Sequence, residues 1–198
     1  MVSNTGSTGV THRCSAVLAS TNPHKLEELR AALPGWEIHA LARDDYPAET
    51  GATYQENAAA KARFGRLHAA GGAWVIGEDS GIEVAALDGG PGVESARWAG
   101  DGVARILDAL GGETDRRARY VCTMVAVATD GAEVVAEGVL EGSIVTGPPR
   151  GREGFGYDPI FVPAGEMRTV AELGDAWKHA HSHRARAAAA LAQVSQRC

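Results

Sequence analysis

The sequence predicts an α/β protein built on a mixed sheet, and three observations carry that prediction. Short apolar runs at residues 15–19, 37–40 and 73–76 alternate with helical patterns, as strand–helix–strand units do. Residues 119–129 and 133–144 are β-rich and separated by the turn signal Thr129-Asp130-Gly131-Ala132, which makes a hairpin and adds antiparallel pairing. At 198 residues and 44% apolar, the chain suffices for one packed domain, with room for two lobes.

The bulk numbers narrow the function. A net charge of −6 argues against a nucleic-acid or anionic-membrane surface, yet a small anionic ligand needs only a local cluster of cations. No apolar run reaches the length of a membrane span and no apolar signal-peptide core is seen, so a cytoplasmic protein is expected. Cys14, Cys122 and Cys198 are widely spaced and form neither a disulfide framework nor a zinc pattern.

In chain order, residues 1–13 are rich in Ser, Thr, Gly and Asn and are read as a flexible leader; residues 14–198 are read as a single domain. The strand at 15–19 feeds Ser20-Thr21-Asn22-Pro23-His24-Lys25 into a helix whose buried stripe is Leu26, Leu29 and Leu33. Pro23 suits the first helical turn, and Asn22 or Thr21 can cap it. Free amides, the helix dipole and Lys25 make this a ready anion site. A capped connection with a surface lysine is the plainer account of the segment alone.

After a strand at 37–40 and a loop holding Asp44, Asp45, Pro47 and Glu49, residues 53–70 form a helix with the box-like start Thr53-x-x-Glu56. Its small residues Ala58, Ala62 and Ala69 allow close packing. Asn57 and Lys61, four apart on one face, are read as solvated. The run 73–76 then delivers two adjacent carboxylates, Glu78 and Asp79, at a strand end, followed by Ser80-Gly81, a second run at 82–87, and Gly89-Gly90-Pro91-Gly92. Acids in that position suit a metal-assisted site, because a buried carboxylate pair needs cations or hydrogen-bond donors.

Residues 103–110 read as a short helix. In the loop at 151–159, Phe155 and Tyr157 alternate with glycines. They either offer a face for a flat base or fold back into the core. The segment from 171 to 198 reads as a helix in two parts, with Lys178, His181, Ser182, His183 and Arg184 crowding its start. Only His179 and His183 share a helical face, so a cationic hydrogen-bonding cluster is expected there rather than a transition-metal site.

Five of these segments, in order, resemble the inosine triphosphate pyrophosphatases. They are Ser20-x-Asn22-x-x-Lys25; Glu49-Thr50-Gly51 with Glu56-Asn57-Ala58; Asp79-Ser80-Gly81 through Pro91-Gly92 and Ser95-Ala96-Arg97; Gly154-Phe155-Gly156-Tyr157-Asp158-Pro159; and Lys178 with Ser182-His183-Arg184. The resemblance runs from about Ser15 to Leu191. It implies a strongly twisted mixed sheet, two lobes around a nucleotide cleft as also in Maf-like proteins, and a homodimer. It also implies Mg²⁺-dependent hydrolysis of ITP, dITP or XTP to the monophosphate and pyrophosphate.

By the same resemblance, Ser20, Thr21, Asn22, Pro23, His24 and Lys25 hold the triphosphate, with Lys61 aiding neutralisation. Asp79 is the general base and a metal ligand beside Glu49 and Glu78. Ser80 touches substrate, Phe155, Gly156, Tyr157 and Asp158 flank base and sugar, and Lys178, His183 and Arg184 complete nucleotide binding. Glu78 stands where the family often has aspartate, and the segment from Gly100 to Val103 is shorter than usual. A Maf-like pyrophosphatase acting on dTTP or UTP, or a nucleotide sensor without hydrolysis, are the alternatives.

Overall fold

The strand at Trp74–Val84 pairs with a parallel strand on one edge and an antiparallel strand on the other, which joins the two halves of the sheet. The computed structural model describes residues 14–98 and 101–194; the leader at 1–13 and Gly100, the first residue of the segment expected to be shortened, lie outside them. The strands are β1 (Cys14–Leu18), β2 (Trp36–Ala40), β3 (Trp74–Val84), β4 (Arg117–Val127), β5 (Glu133–Ile144) and β6 (Phe161–Pro163). They form a six-stranded sheet in the order β2-β1-β3-β4-β5-β6. β1 lies parallel to both neighbours, whereas β3 to β6 pair antiparallel. The mixed α/β sheet and the hairpin at 119–144 are thus as expected.

The helices are α1 (Pro23–Ala32), α2 (Tyr54–His68), α3 (Gly102–Leu110), α4 (Val170–Leu173), α5 (Asp175–His181) and α6 (His183–Val194). Asn22 caps α1 by accepting from the His24 N–H, with Pro23 in the first turn. Thr53 and Glu56 form the reciprocal box that starts α2.

Two expectations fail. The carboxylates do not end a strand, because residues 74–84 are one continuous strand whose partner β4 pairs from Val127 opposite Val75 to Ala118 opposite Val84. An unbroken partner keeps the acids in the ladder. The C-terminal helix has three pieces, broken at Gly174 (φ 86°) and at Ser182, whose backbone is extended.

Three apolar clusters follow. Ala16, Leu18, Ile76 and Met124 pack under Leu29, Leu33 and Leu191 of the α1/α6 side. Ile82, Val84, Tyr120, Leu140 and Phe161 pack against Ile106 and Leu110. Ala58, Ala59 and Ala62 of α2 lie on Val125 and Val127. β3 contributes Ile76 to the first cluster and Ile82 to the second, so Glu78 and Asp79 fall at the junction of two cores. Two glycines bring the flanking helices close. A Cβ on Gly77 would stand 2.0 Å from the Ala58 carbonyl oxygen in α2, and one on Gly138 would stand 2.1 Å from the His183 oxygen in α6. Cys14 is disulfide-bonded and Cys122 is a free buried thiol. A single bond at the start of β1 does not amount to a framework.

Candidate active site

Side chains alternate along β3, so Glu78 and Asp79 leave opposite faces of the sheet. A cavity of about 460 Å³ opens beside them. Its walls come from the turn after β1, the loop before α2, mid-β3, the loop after residue 91, the 155–158 loop and the α5/α6 junction. Of the residues implied by the resemblance, Ser20, Thr21, Asn22, Lys25, Glu49, Lys61, Asp79 and Ser80 line it. So do Phe155, Gly156, Tyr157, Asp158, Lys178, His183 and Arg184. Pro23, His24 and Glu78 do not.

Asp79 lies on the α2 side and is 4% exposed. Asn57 Nδ2 donates to its Oδ2 at 2.9 Å, and Lys61 Nζ lies 3.6 Å from its Oδ1. The Asn57 Oδ1 accepts from the Gly51 N–H at 2.8 Å, which ties the Glu49 loop to the same strand. Lys61 also donates to Glu49, whose second oxygen takes Arg97 at 2.7 Å. Burial raises the Asp79 carboxyl above its ordinary range despite the opposing pull of Lys61 and Asn57. For Glu49, burial acts upward but Lys61 prevails and the carboxyl is lowered. Asn57 and Lys61, read as solvated from the sequence, are in fact buried, at 2% and 6% exposure. The helical spacing showed their common face but not the strand that covers it.

Glu78 points the other way. Arg184 Nη2 donates to its Oε1 at 3.0 Å, Cys122 Sγ lies 3.3 Å from the same oxygen, and Lys25 Nζ sits 2.7 Å from Oε2 as an ion pair without hydrogen-bond alignment. Burial alone would raise this carboxyl; Arg184, Lys25 and Lys61 outweigh it and hold it well below the usual range. Glu28 of α1, absent from the sequence-derived set, completes the network, reaching Lys178 at 2.8 Å and Arg184 at 2.5 Å. At 3.6 residues per turn it falls off the Leu26/Leu29/Leu33 stripe, so no local pattern marked it.

The base-side wall is as densely bonded. Asp158 accepts from Lys178 Nζ at 2.6 Å, from the Phe155 N–H at 2.8 Å and from the Tyr120 hydroxyl at 3.2 Å. Burial nevertheless raises its carboxyl. Tyr157 packs in the second core and donates its hydroxyl to the Ser95 carbonyl at 2.7 Å. Tyr120 of β4, which the sequence did not single out, stacks on His183 with ring centroids 4.6 Å apart. Burial and then Arg184 push the His183 imidazole well below its ordinary range, so it is neutral. Its Nδ1 and the Arg184 Nε are buried without protein partners. Both residues also contribute to the cavity wall.

As a cation site, the Asp79/Glu49 side fits a hard ion. Both carboxylates face the cavity, and the Lys61 ammonium already sits between them. Among the described residues no group of three or more His, Cys, Asp or Glu converges. Protein ligands would therefore be two oxygens, with water and substrate phosphate completing the shell, as Mg²⁺ commonly takes. Glu78, expected as a third ligand, is turned away and occupied by Arg184 and Lys25.

Similarity to known proteins agrees with this architecture. The chain is 45% identical over 182 residues to a dITP/XTP pyrophosphatase of Deinococcus deserti, covering 88% of this chain and 86% of that one. It is 43% identical over 195 residues to one of Rhodospirillum centenum, covering 92% and 93%. Among solved structures, the Ham1 protein of Staphylococcus aureus superposes with a TM-score of 0.80 at 35% identity over 93% of this chain and 100% of that one. A nucleoside-triphosphatase, dITP/XTP pyrophosphatase, of Mycobacterium abscessus gives 0.69 at 43% identity over 89% and 97%. Residues 16–194 match the Ham1 family throughout, and the chain belongs to that family.

Proposed function

We propose that residues 14–198 act as one unit that hydrolyses non-standard purine nucleoside triphosphates, dITP, ITP or XTP, to the monophosphate and pyrophosphate. One observation carries this reading. A buried carboxylate, Asp79, lines one cavity together with the Lys25 and Lys61 cations, the Phe155 ring, His183 and Arg184. The names of the relatives support the same substrates.

Ser20, Thr21, Asn22 and Lys25, which line the cavity at the N-terminus of α1, receive the polyphosphate. Asp79 orients a water at the α-phosphorus and takes its proton. The water oxygen bonds to that phosphorus as the α–β anhydride bond breaks, and pyrophosphate leaves with the electron pair. Asp79 and Glu49 would hold Mg²⁺, which supplies charge neutralisation of the phosphate oxygens. Lys61 bridges those two carboxylates and adds positive charge where negative charge grows. Glu78 serves as counter-ion, holding Lys25 and Arg184 in place. At the other end, Phe155 stacks on the purine, while His183 and Arg184 donate to the 6-oxo group, at which adenine carries an amino donor instead.

We further propose a homodimer in the cytoplasm, from the family resemblance. No helix among the described residues is long and apolar enough to cross a membrane. The test is pyrophosphate release with Mg²⁺ from a panel of dITP, ITP, XTP, GTP, ATP and dTTP. Preference for the first three is expected. Preference for dTTP would favour the Maf-like alternative, and no release from any of them a sensor.

A further inference from the structure

We infer that His24 is a positioning residue for the stacking platform Phe155, joining the phosphate turn to the base loop. The inference rests on the proposed reading of the cavity as a nucleotide site. His24 lies in the first turn of α1, between the cap Asn22, whose Oδ1 accepts its N–H at 3.0 Å, and Lys25, which lines the cavity. Its own ring does not line the cavity. It lies on Phe155, with centroids 5.1 Å apart and planes within 20°.

Phe155 and Lys178 both line the cavity, and Lys178 Nζ is 3.8 Å from the Phe155 centroid. His24 therefore backs the ring from outside the cavity, so a base reaches Phe155 only from the cavity side, where the Lys178 ammonium lies over the ring. A base cannot slip between the two rings, because two successive stacking contacts need about 7 Å. Phe155 stands between Gly154 and Gly156, neither of which has a side chain to wedge the ring. The imidazole makes no hydrogen bond among the described residues, so the stack on Phe155 is the contact that holds its ring.

The consequence is a mechanical link between the two ends of the ligand. Phosphate that orders the 20–25 turn also sets the platform on which the base lands. A purine triphosphate gains from both contacts at once.

The test is steady-state pyrophosphate release from dITP. His24 is exposed, so its replacement does not threaten folding. His24→Ala should raise KM by about two- to tenfold, the range that one aromatic pair contributes, with kcat altered less. His24→Phe, which keeps a flat ring, should restore the wild-type KM; His24→Leu, which keeps bulk without a flat face, should not. In a Phe155→Ala background, His24→Ala should add nothing further. A wild-type KM in His24→Ala, full rescue by leucine, or additivity with Phe155→Ala would each overturn the role. A wild-type protein that releases no pyrophosphate from dITP, ITP or XTP would overturn the nucleotide reading itself, and the platform with it.

Discussion

The two faces of β3 hold neighbouring carboxylates in opposite circumstances. On the α1/α6 face, Glu78 is 1% exposed and surrounded by Lys25, Arg184 and Cys122, and its carboxyl is held well below the ordinary range. On the α2 face, Asp79 is 4% exposed, faces the cavity, and is raised by burial. Both are acids in mid-strand, one residue apart. What separates them is the two-residue period of the strand, which sends one into a closed ion network and the other to a site open to ligand. A structural counter-ion and a reactive base can therefore be adjacent in sequence without competing for the same partners.

The largest test of that division is Asp79→Asn. Loss of a general base lowers turnover by about 10²–10⁴-fold, while nucleotide binding should largely persist. Because the folded protein raises the Asp79 carboxyl, its ionised form opposes folding at neutral pH, so Tm should stay level or rise. Near-normal kcat, or a marked fall in Tm, would place Asp79 in the structural role instead.

Glu78→Gln should behave in the reverse way. It leaves the buried Arg184 with Glu28 alone and Lys25 without its partner, and breaking a buried pair costs up to about 3–5 kcal/mol of stability. The sign with pH is equally specific. Glu78 is depressed on folding, so its contribution is complete above the unfolded carboxylate pKa of about 4.3 and fades as pH falls through its lower folded value. Asp79 is raised, so a reaction that needs it ionised declines at higher pH than the fold does. Denaturant melts and rates over one acid series would show activity lost before structure in the wild type. The Glu78→Gln protein would lack the acid-side dependence that Glu78 supplies. Coincident loss in the wild type would break the contrast.

How much of this was legible beforehand depends on distance along the chain. The hairpin at 119–144, the capping box at Thr53/Glu56 and the turn at 20–25 are local patterns, and each is present in the structure. The order of five short motifs was enough to reach the family. What the sequence could not show was which face each residue meets. Adjacent acids looked like one pair at a strand end because nothing local indicates that β4 pairs with both apolar runs. Asn57 and Lys61 looked solvated because their cover, Asp79, lies at least 18 residues away. Glu28 meets Arg184 from 156 residues away, so the partner that makes its burial tolerable is invisible in any local window.

The smallest effect should come from Asn57, which joins β3 to the Glu49 loop on the Asp79 face. Its amide donates to Asp79 Oδ2 and its carbonyl accepts from Gly51, so one side chain sets the distance between Asp79 and the Glu49 loop. Asn57→Ala removes a hydrogen bond to a charged group, a loss of about 1.5–3 kcal/mol, and it touches nothing on the Glu78 face. We expect kcat for dITP to fall by roughly ten- to a hundredfold if that loss is felt chiefly in the transition state. KM should move less, and the Glu78-dependent acid melt should be unchanged. If Asn57→Ala instead alters that melt and spares kcat, the faces of β3 are coupled through the strand, and the separation of roles between Glu78 and Asp79 fails.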